Sequence, residues 1–298
     1  MEKFNYTVII PHYNIPQLLE RCLSSIPPRD DVQVLVIDNK STMENQKLAQ
    51  NICNKFNHVQ YVQDNIGKGA GHARNIGLGL AEGKWILFAD ADDFFEPSFW
   101  NFIDHLTGDT DADILYAKVN SVNSDTLEAQ ERKTKRRLNG YVSDFLNDKD
   151  PYAEDRMRLL YNVPWGKILR KSLIDTHNIR FEEVPTSNDV MFSTISGFNA
   201  RSVKATECVM YVVTVRSGSL LTRKDKQAIR CRYEVALRQH NYCVKHGKSY
   251  FAAYLFTYIK NALLQYGLKE FVWYIRMLFN YKVNPLHGIK RRLIERSR

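Results

Sequence analysis

The stretch WILFADADDFFEP, residues 85–97, joins an apolar segment to a cluster of acidic side chains. Residues 85–88 have the pattern of a buried strand, and Asp90, Asp92 and Asp93 follow it within four positions. Carboxylates at the end of a buried strand repel one another, and burial adds a desolvation cost. A positively charged partner is therefore expected here, and the acidic cluster marks a candidate binding site.

The first third of the chain alternates apolar, strand-like segments with segments whose apolar residues recur at helical spacing. The strand-like segments are residues 8–10, 32–39, 58–63 and 85–90, and the helix-like segments are residues 15–26, 41–56 and 71–83. Such alternation is typical of a mainly parallel sheet with helices on both faces. We therefore predict an α/β fold of the α/β/α sandwich type.

Polar residues follow three of the predicted strands. The segment PHYN, residues 11–14, follows the first strand, Asp38 and Asn39 end the second, and the acidic cluster follows the fourth. In sheets of this kind ligands bind at the carboxyl ends of the strands. The sequence therefore places one binding site at that edge of the sheet.

The bulk composition indicates a soluble globular protein. The chain has 298 residues, 44% of them hydrophobic and 25% charged, which is enough for one large or two ordinary domains. The first residues lack a signal-peptide pattern and no apolar run approaches about 18 residues, so we expect a cytoplasmic protein. The net charge of +9 predicts an anionic partner, and charge alone does not distinguish nucleic acid, a phosphorylated metabolite and a lipid surface.

The cysteines and histidines show no disulfide or zinc pattern. The five cysteines are scattered without a CxxC pair, and the eight histidines form no HExxH motif. Reduced, mostly buried thiols are expected at Cys22, Cys53, Cys208, Cys231 and Cys243.

Four interpretations of the acidic cluster compete. A helix N-cap needs one carboxylate rather than three. A calcium loop of the EF-hand type needs a central glycine and a final glutamate, which are missing here. Exposed surface acid is disfavoured because apolar residues precede and follow the cluster. A Mg²⁺ or Mn²⁺ ion held by one or two carboxylates and by substrate phosphate oxygens fits best, since the ion neutralises both.

Two glycine-rich segments do not complete a nucleotide-binding motif. In GKGAGH, residues 67–72, His72 stands where a dinucleotide fingerprint has its third glycine. In GLAEGKW, residues 79–85, the P-loop spacing is one residue short and Trp85 replaces the magnesium-binding Ser or Thr. Neither NAD binding nor P-loop ATP hydrolysis is therefore indicated.

Four segments, taken in order, resemble the signature blocks of family 2 glycosyltransferases. They are TVIIPHYN, VLVIDNKST, NIGKGAGHARNIGLGLAEGKWILFADADD and NDVMFS, and the resemblance covers about residues 6–222. It implies a GT-A fold and an inverting transfer of a sugar from a nucleotide diphosphate, with UDP favoured, to a saccharide or lipid-linked acceptor. Many such enzymes build bacterial capsule, lipopolysaccharide or exopolysaccharide.

The resemblance also implies which residues surround the nucleotide-sugar. A carboxylate at Asp38 would accept from a uracil N–H, Tyr13 would pack on the base, and Arg74 would offer a planar pair of donors to the phosphates. Family members often carry a second aspartate where this chain has Asn39. The residues expected around the donor are Pro11, Tyr13, Asn14, Asp38, Asn65, Gly67, Arg74, Asn75, Asp90, Asp93 and Arg216.

By the same resemblance Asp92 is the first choice as ligand of Mn²⁺ or Mg²⁺, with Asp90 directed toward ribose or metal. Asp93 is directed toward the donor sugar or the metal. The late segment VRSGSLLT places Arg216, together with Ser219 and Thr222, near the diphosphate.

An inverting transfer needs a base that takes the proton of the acceptor hydroxyl. The segment PTSNDVMFS provides Asp189 as the candidate base with Asn188 beside it, and the alternative is that Asp189 only caps the following helix. The segment VPWGKIL adds Trp165 and Lys167 on the acceptor side, although a buried core position suits Trp165 equally well.

Near residue 224 the sequence changes to long helical patterns rich in aromatic and basic residues. We therefore predict a catalytic domain over residues 1–224 and a helical region over residues 225–298. The charged run QERKTKRRLNG, residues 130–140, is expected to be a solvated loop or hairpin tip. The C-terminal helices are rich in aromatic and basic residues, and two alternatives stay open for them. They pack on the catalytic domain, or they lie on the anionic inner face of the plasma membrane.

Two functional hypotheses from different classes follow. The first is a metal-dependent glycosyltransferase, and the second is a transferase-like module that binds nucleotide without turnover, which Asn39 and Asn188 keep open. Nucleic-acid binding by the basic surface has no recognition-helix or zinc-finger pattern to support it.

Overall fold

A single mixed sheet organises the N-terminal three-quarters of the molecule in the computed structural model, which describes residues 3–216, 225–287 and 289. The strand order within these residues is β3-β2-β1-β4-β7-β6-β8-β5. The strands are β1 (Phe4–His12), β2 (Val32–Asn39), β3 (Val59–Asp64), β4 (Gly83–Phe88), β5 (Phe94–Phe95), β6 (Ile114–Asn123), β7 (Lys167–Arg170) and β8 (Val203–Val215).

Helices cover the sheet and continue beyond it. Those that precede or lie between the strands of the sheet are α1 (Pro16–Ser24), α2 (Met43–Cys53), α3 (Ala70–Leu80), α4 (Ile103–Thr107), α5 (Lys133–Leu146), α6 (Ala153–Leu160), α7 (Lys171–Thr176) and α8 (Asp189–Asn199). Those that follow are α9 (Lys226–Lys245), α10 (Phe256–Tyr266) and α11 (Leu268–Asn280). Short 3-10 helices occur at Pro97–Asn101 and Ser249–Phe251.

The predicted α/β/α architecture is confirmed. Strands β1 to β4 are parallel, and nearly all apolar residues of β1, β2 and β4 are buried because helices cover both faces of the sheet, whereas those of the edge strand β3 are partly buried. The register pairs His12 with Asp38 and Asn39 with Asp64, so the carboxyl ends of neighbouring strands lie level. This alignment brings the loops after β1, β2, β3 and β4 to one edge of the sheet.

The other half of the sheet is of mixed direction. Strand β7 runs antiparallel to both β4 and β6, whereas β6 and β8 are parallel, and the two-residue strand β5 pairs antiparallel with β8. Because β5 directly follows the acidic cluster, its pairing with β8 fixes the cluster against the end of that strand.

The expectation of a loop at residues 130–140 is wrong, because α5 begins within it. Leu138 and Val142 are fully buried one turn apart, and Tyr141 and Phe145 pack beside them on the core. The basic residues occupy the solvent side of the same turns. The apolar stripe was therefore concealed in a sequence dominated by charge.

The C-terminal helices form a hydrophobic cluster of their own. Tyr233, Leu237 and Leu255 pack with Tyr274 and Leu278 of α11. An ion pair of Arg238 with Glu182 joins α9 to the segment before α8, and an ion pair of Lys248 with Asp155 joins the segment after α9 to α6. No helix among the described residues is long and apolar enough to cross a membrane. All five cysteines lie within the described residues, and none of them forms a disulfide.

Candidate active site

Arg74 connects the acidic cluster to the segment that carries the candidate base. One terminal nitrogen, Nη2, lies 2.5 Å from Oδ1 of Asp90, and the other, Nη1, lies 2.8 Å from Oδ1 of Asn188. The guanidinium also lies 5.3 Å from the centre of the Phe181 ring, and the side chain is almost completely buried. The planar fork of arginine suits this double contact, which joins α3, the end of β4 and the start of α8.

Asp90 and Asp92 form the open side of the acidic cluster. Their side chains retain partial solvent exposure, and Oδ2 of Asp92 accepts a hydrogen bond of 3.0 Å from Nε of Arg216. Burial raises the pKa of Asp92, and the negative charge of Asp90 raises it further. Asp90 and Asp92 therefore repel each other although Arg74 lies beside the first and Arg216 beside the second.

These two carboxylates fit a divalent cation bound together with a substrate. Oδ2 of Asp90 and Oδ1 of Asp92 have no hydrogen-bond partner within the described part of the chain. Residues 3–216 and 225–287 contain no group of three or more His, Cys, Asp or Glu side chains arranged to hold a metal. A site of two hard oxygen ligands completed by phosphate oxygens is the type that Mg²⁺ and Mn²⁺ occupy.

Asp93 lies beneath the cluster, which argues against the expected contact with a donor sugar or a metal. Its side chain is buried, and Oδ1 accepts a hydrogen bond of 2.7 Å from the backbone N–H of Thr214. Burial raises its pKa well above the usual range, and the charges of Asp92 and Asp90 add to this effect. Asp93 therefore fastens the end of β8 under the cluster.

Asp189 is the first residue of α8 and keeps partial access to solvent. Burial raises the pKa of its carboxyl to about 6, and Asp90 contributes in the same direction, whereas Arg74 and Lys167 oppose the shift. Asn188 occupies the N-cap position, and no side-chain capping bond is made there. The carboxylate of Asp189 accepts no hydrogen bond from another described residue, so it is available to a ligand.

Lys167 and Trp165 are both buried, and neither side chain is presented to an acceptor. The ammonium of Lys167 lies 5.7 Å and 5.3 Å from the ring centres of Tyr116 and Tyr161, and burial lowers its pKa to about 7. Trp165 stacks on Tyr211 at 5.5 Å. Of the two alternatives for Trp165, the structure therefore shows the core position. Both residues therefore belong to the protein interior next to the site.

Asp38 does not face the nucleotide side as expected. Its side chain is fully buried, with Oδ2 2.8 Å from Nδ1 of His12 and Oδ1 accepting from the backbone N–H of Ser41 at 2.8 Å. Nε2 of His12 lies 3.3 Å from the backbone nitrogen of Ile15, which leaves Nδ1 as the ring nitrogen that faces Asp38. This buried network holds the loops after β1 and β2 together.

Asn14 and Asn75 also use their amides within the protein. Oδ1 of Asn14 accepts from the backbone N–H of Thr42 at 2.8 Å, and Asn14 itself has a left-handed backbone with φ of 55°. Asn75 donates to the carbonyl of Phe181 and accepts from its N–H, at 3.0 Å and 2.8 Å. Both side chains therefore hold loops in place at the carboxyl-terminal edge of the sheet.

The remaining candidates lie at the rim of the same edge. Tyr13 has 56% of its surface exposed, and Asn65 is also exposed. Pro11 pairs with Ile37 near the end of β1, and Gly67 adopts a φ of 72° that favours glycine. The residues named in the late loop, Ser219 and Thr222, lie outside the described residues.

A contact from α9 to the segment before Asp189 was not predicted. Arg238 makes two hydrogen bonds to the carboxylate of Glu182, of 2.6 Å and 3.1 Å, and Nε of Arg232 lies 3.3 Å from the hydroxyl of Thr186. The two partners of the first pair are 56 positions apart, and no motif includes either of them. The C-terminal region thus helps to hold the segment that positions the candidate base.

Gly71 marks the place where α3 touches this segment most closely. A Cβ atom at Gly71 would lie 2.3 Å from the carbonyl oxygen of Glu182, whereas a Cβ atom at Gly79 on the same helix would meet nothing within 4 Å. Gly71→Ala is expected to lower the free energy of unfolding by about 1–3 kcal/mol. The matched change Gly79→Ala is expected to raise it by about 0.5–1 kcal/mol. Urea denaturation measures both, and equal effects of the two changes would contradict this packing.

A family model for glycosyl transferase family 2 matches residues 7–177. The chain therefore belongs to glycosyl transferase family 2. It is similar to the poly(ribitol-phosphate) β-N-acetylglucosaminyltransferase TarS of Staphylococcus aureus, with 26% identity over 221 residues, which are 72% of this chain and 36% of the relative. It is also similar to a poly(ribitol-phosphate) β-glucosyltransferase of Bacillus spizizenii, with 21% identity over 70% of this chain and 32% of the relative. The chain thus spans about a third of the length of these two relatives.

Solved structures share the fold. The crystal structure of S. aureus TarS residues 1–349 in complex with UDP-GlcNAc superposes with a TM-score of 0.71 at 21% identity, covering 93% of this chain and 80% of that one. The mannosyltransferase PcManGT of Pyrobaculum calidifontis, in complex with GDP-Man and Mn²⁺, gives a TM-score of 0.56 at 16% identity, covering 94% and 81%. At these identities the similarity concerns the fold alone.

Proposed function

We propose that this protein transfers a sugar from a nucleotide diphosphate, with UDP as the favoured nucleotide, to a saccharide or lipid-linked acceptor in the synthesis of a bacterial surface polysaccharide. The observation that carries the proposal is the double contact of Arg74. It joins Asp90, a carboxylate suited to the divalent cation of the donor diphosphate, to Asn188, the neighbour of an available carboxylate of raised pKa. One guanidinium therefore contacts both the proposed donor side, at Asp90, and the residue next to the proposed base, Asn188.

The diphosphate of the donor is assigned to the open side of the acidic cluster. Asp92 and Asp90 would hold Mn²⁺ or Mg²⁺, and the ion would neutralise charge on the departing diphosphate. Arg216 lies beside Asp92, where its guanidinium can turn to the phosphate oxygens. The TarS and PcManGT structures, which contain a UDP-sugar and Mn²⁺ respectively, support this assignment by fold.

Asp189 is assigned as the base of an inverting reaction. The acceptor hydroxyl attacks the anomeric carbon from the face opposite the nucleotide, the bond from that carbon to the diphosphate oxygen breaks, and Asp189 takes the hydroxyl proton. A carboxyl with a pKa of about 6 is mostly ionised at neutral pH and is a stronger base than an ordinary aspartate.

The base of the nucleotide is assigned to Tyr13 and Asn39 rather than to Asp38. Tyr13 offers an exposed ring for packing, and the oxygens of Asp38 are already bonded within the protein. Oδ1 of Asn39 accepts from the backbone N–H of Gly69 at 3.0 Å. The side-chain NH₂ group of Asn39 is assigned to the nucleotide. An amide donor suits a carbonyl oxygen of uracil.

We place the catalytic domain at residues 1–224 and the helical region at residues 225–298, and we expect the protein to act in the cytoplasm. The separate hydrophobic cluster of the C-terminal helices supports this division. The non-catalytic alternative, a module that binds nucleotide without turnover, keeps the same donor site and differs only in lacking transfer.

A thermal-shift panel of nucleotide sugars tests the proposed function. UDP-sugars with Mn²⁺ should raise the melting temperature, because a ligand that binds only the folded state stabilises it. GDP- and CDP-sugars under the same conditions should raise it less, and chelation of the metal should remove the shift. Equal shifts for all nucleotides, or none for UDP-sugars, would contradict the assignment of the donor.

A further inference from the structure

One side of α11 exposes a continuous line of apolar side chains, the α11 stripe, formed by Leu268, Val272, Ile275 and Phe279. Their spacing of three and four residues places them on one side of a helix about 20 Å long. Leu268 is 69% exposed, Val272 55% and Phe279 76%, while Ile275 is partly buried. Single exposed apolar residues are normal on a protein surface, but a line of this kind is typical of an interaction site.

The opposite side of the same helix accounts for its packing. Tyr274 and Leu278 are buried in the cluster of C-terminal helices, and Glu270 is buried between Arg230 and Lys226 with contacts of 2.5 Å to each. Ile275 also packs against this cluster, whereas the exposed members of the α11 stripe, Leu268, Val272 and Phe279, are not part of it and are not needed to hold the helix on the protein.

The charges around the α11 stripe are all of one sign. Between residues 256 and 286 the exposed ionic side chains are Lys260, Lys269, Arg276 and Lys282, and the single acidic residue, Glu270, is buried and paired. Lys269 and Arg276 lie one beside each end of the stripe, two helical turns apart. An apolar line flanked by cations matches the boundary between the headgroups and acyl chains of an anionic bilayer.

We propose that α11 lies on an anionic membrane surface, with the α11 stripe inserted among the acyl chains and Lys269 and Arg276 bound to lipid phosphates. A second copy of this chain is a poorer occupant. A symmetric pairing through the stripe would bring the same cations of the two copies together with no exposed acid to neutralise them. The position of α9 against the segment before Asp189 joins this surface to the active site through one helical region.

Vesicle sedimentation of the full chain tests the proposal. The protein should sediment with vesicles of phosphatidylglycerol and phosphatidylcholine in equal amounts, and it should stay in solution with phosphatidylcholine alone. Phe279→Ser should weaken binding by at least about tenfold through lost apolar insertion. The double change Lys269→Gln with Arg276→Gln should weaken it by roughly 30-fold, since each cation near an anionic surface contributes about a factor of five.

Matched controls separate these effects from general ones. Phe102→Ser removes a half-exposed phenylalanine of the catalytic part, and Lys47→Gln with Lys84→Gln removes the same net charge elsewhere. Both controls should bind vesicles as the unchanged protein does. The proposal is overturned if the chain does not bind anionic vesicles at low salt, or if the controls weaken binding as much as the α11 changes. It is equally overturned if the protein does not bind vesicles and light scattering instead shows self-association that Phe279→Ser abolishes. Because sedimentation needs no turnover, a negative result leaves the transferase assignment untouched.

Discussion

Replacing Asp189 by asparagine is expected to reduce sugar transfer by about 10²–10⁴-fold, because the acceptor hydroxyl then has no base to take its proton. The affinity for UDP should change little, since Asp189 is assigned to the acceptor hydroxyl and not to the metal or the diphosphate. Transfer measured with a radiolabelled donor gives the first quantity, and UDP calorimetry gives the second.

The same substitution is expected to stabilise the fold at neutral pH. Burial raises the pKa of Asp189 from 3.8 to about 6, so the folded protein holds the proton more tightly than the unfolded chain. The ionised carboxylate therefore costs stability as the pH rises from about 4 to 6, and the cost stays constant above that range. Asp189→Asn removes this cost, which is about 3 kcal/mol for a pKa raised from 3.8 to about 6, and the advantage should disappear below pH 4.

Asp30→Asn is the matched control, because Asp30 is exposed and precedes β2 at the opposite edge of the sheet. It should change neither transfer nor the pH dependence of stability. If Asp189→Asn keeps normal transfer, another group is the base. If it destabilises the protein at pH 7, the carboxylate holds the fold together and its raised pKa has no catalytic meaning.

Replacing Arg74 by glutamine is expected to lower transfer by about 10²-fold or more, since one preorganised cation is lost from the donor site. The more specific expectation concerns pH. The positive charge of Arg74 lowers the pKa of Asp189, so its removal should move the acidic limb of the kcat/KM profile upward from a midpoint of about 6. A shift of about one unit is expected from the loss of a nearby opposite charge.

A pH–rate series distinguishes this role from a merely structural one. Loss of packing would lower the rate at every pH without moving the midpoint, and that result would contradict the coupling between Arg74 and Asp189. Arg180→Gln removes an exposed guanidinium beside Phe181 and serves as the control for general charge loss. Its midpoint should stay where it is in the unchanged protein.

Adjacent residues at strand ends explain where sequence interpretation reached its limit. The motif at the end of β2 identified Asp38 and Asn39, and the motif after β4 identified Asp92 and Asp93. Asp38 and Asn39 end β2, where consecutive side chains point to opposite faces, whereas Asp92 and Asp93 lie in the turn between β4 and β5, which directs Asp93 to the N–H of Thr214. The sequence therefore located both pairs at the correct edge of the sheet, whereas the fold decided that Asp38 and Asp93 face inward.

The elements that sequence patterns predicted well are those with strong local signals. Buried apolar runs predicted β1, β2 and β4, and the helix-like segment 41–56 predicted α2, whose N-cap Thr42 accepts from the N–H of Asn45. Contacts between distant segments had no such signal. The pair of Arg238 with Glu182 depends on how α9 crosses the segment before α8, and this crossing follows from packing rather than from local composition.

The central claim is that a divalent cation and a nucleotide diphosphate share the open side of the acidic cluster, and calorimetric titration of UDP tests it most directly. The affinity for UDP should be at least about tenfold higher with Mn²⁺ than with a chelator, because the ion offsets the repulsion between diphosphate and carboxylates. Asp92→Asn should remove this difference. Equal affinity for UDP with metal and with chelator would contradict the claim.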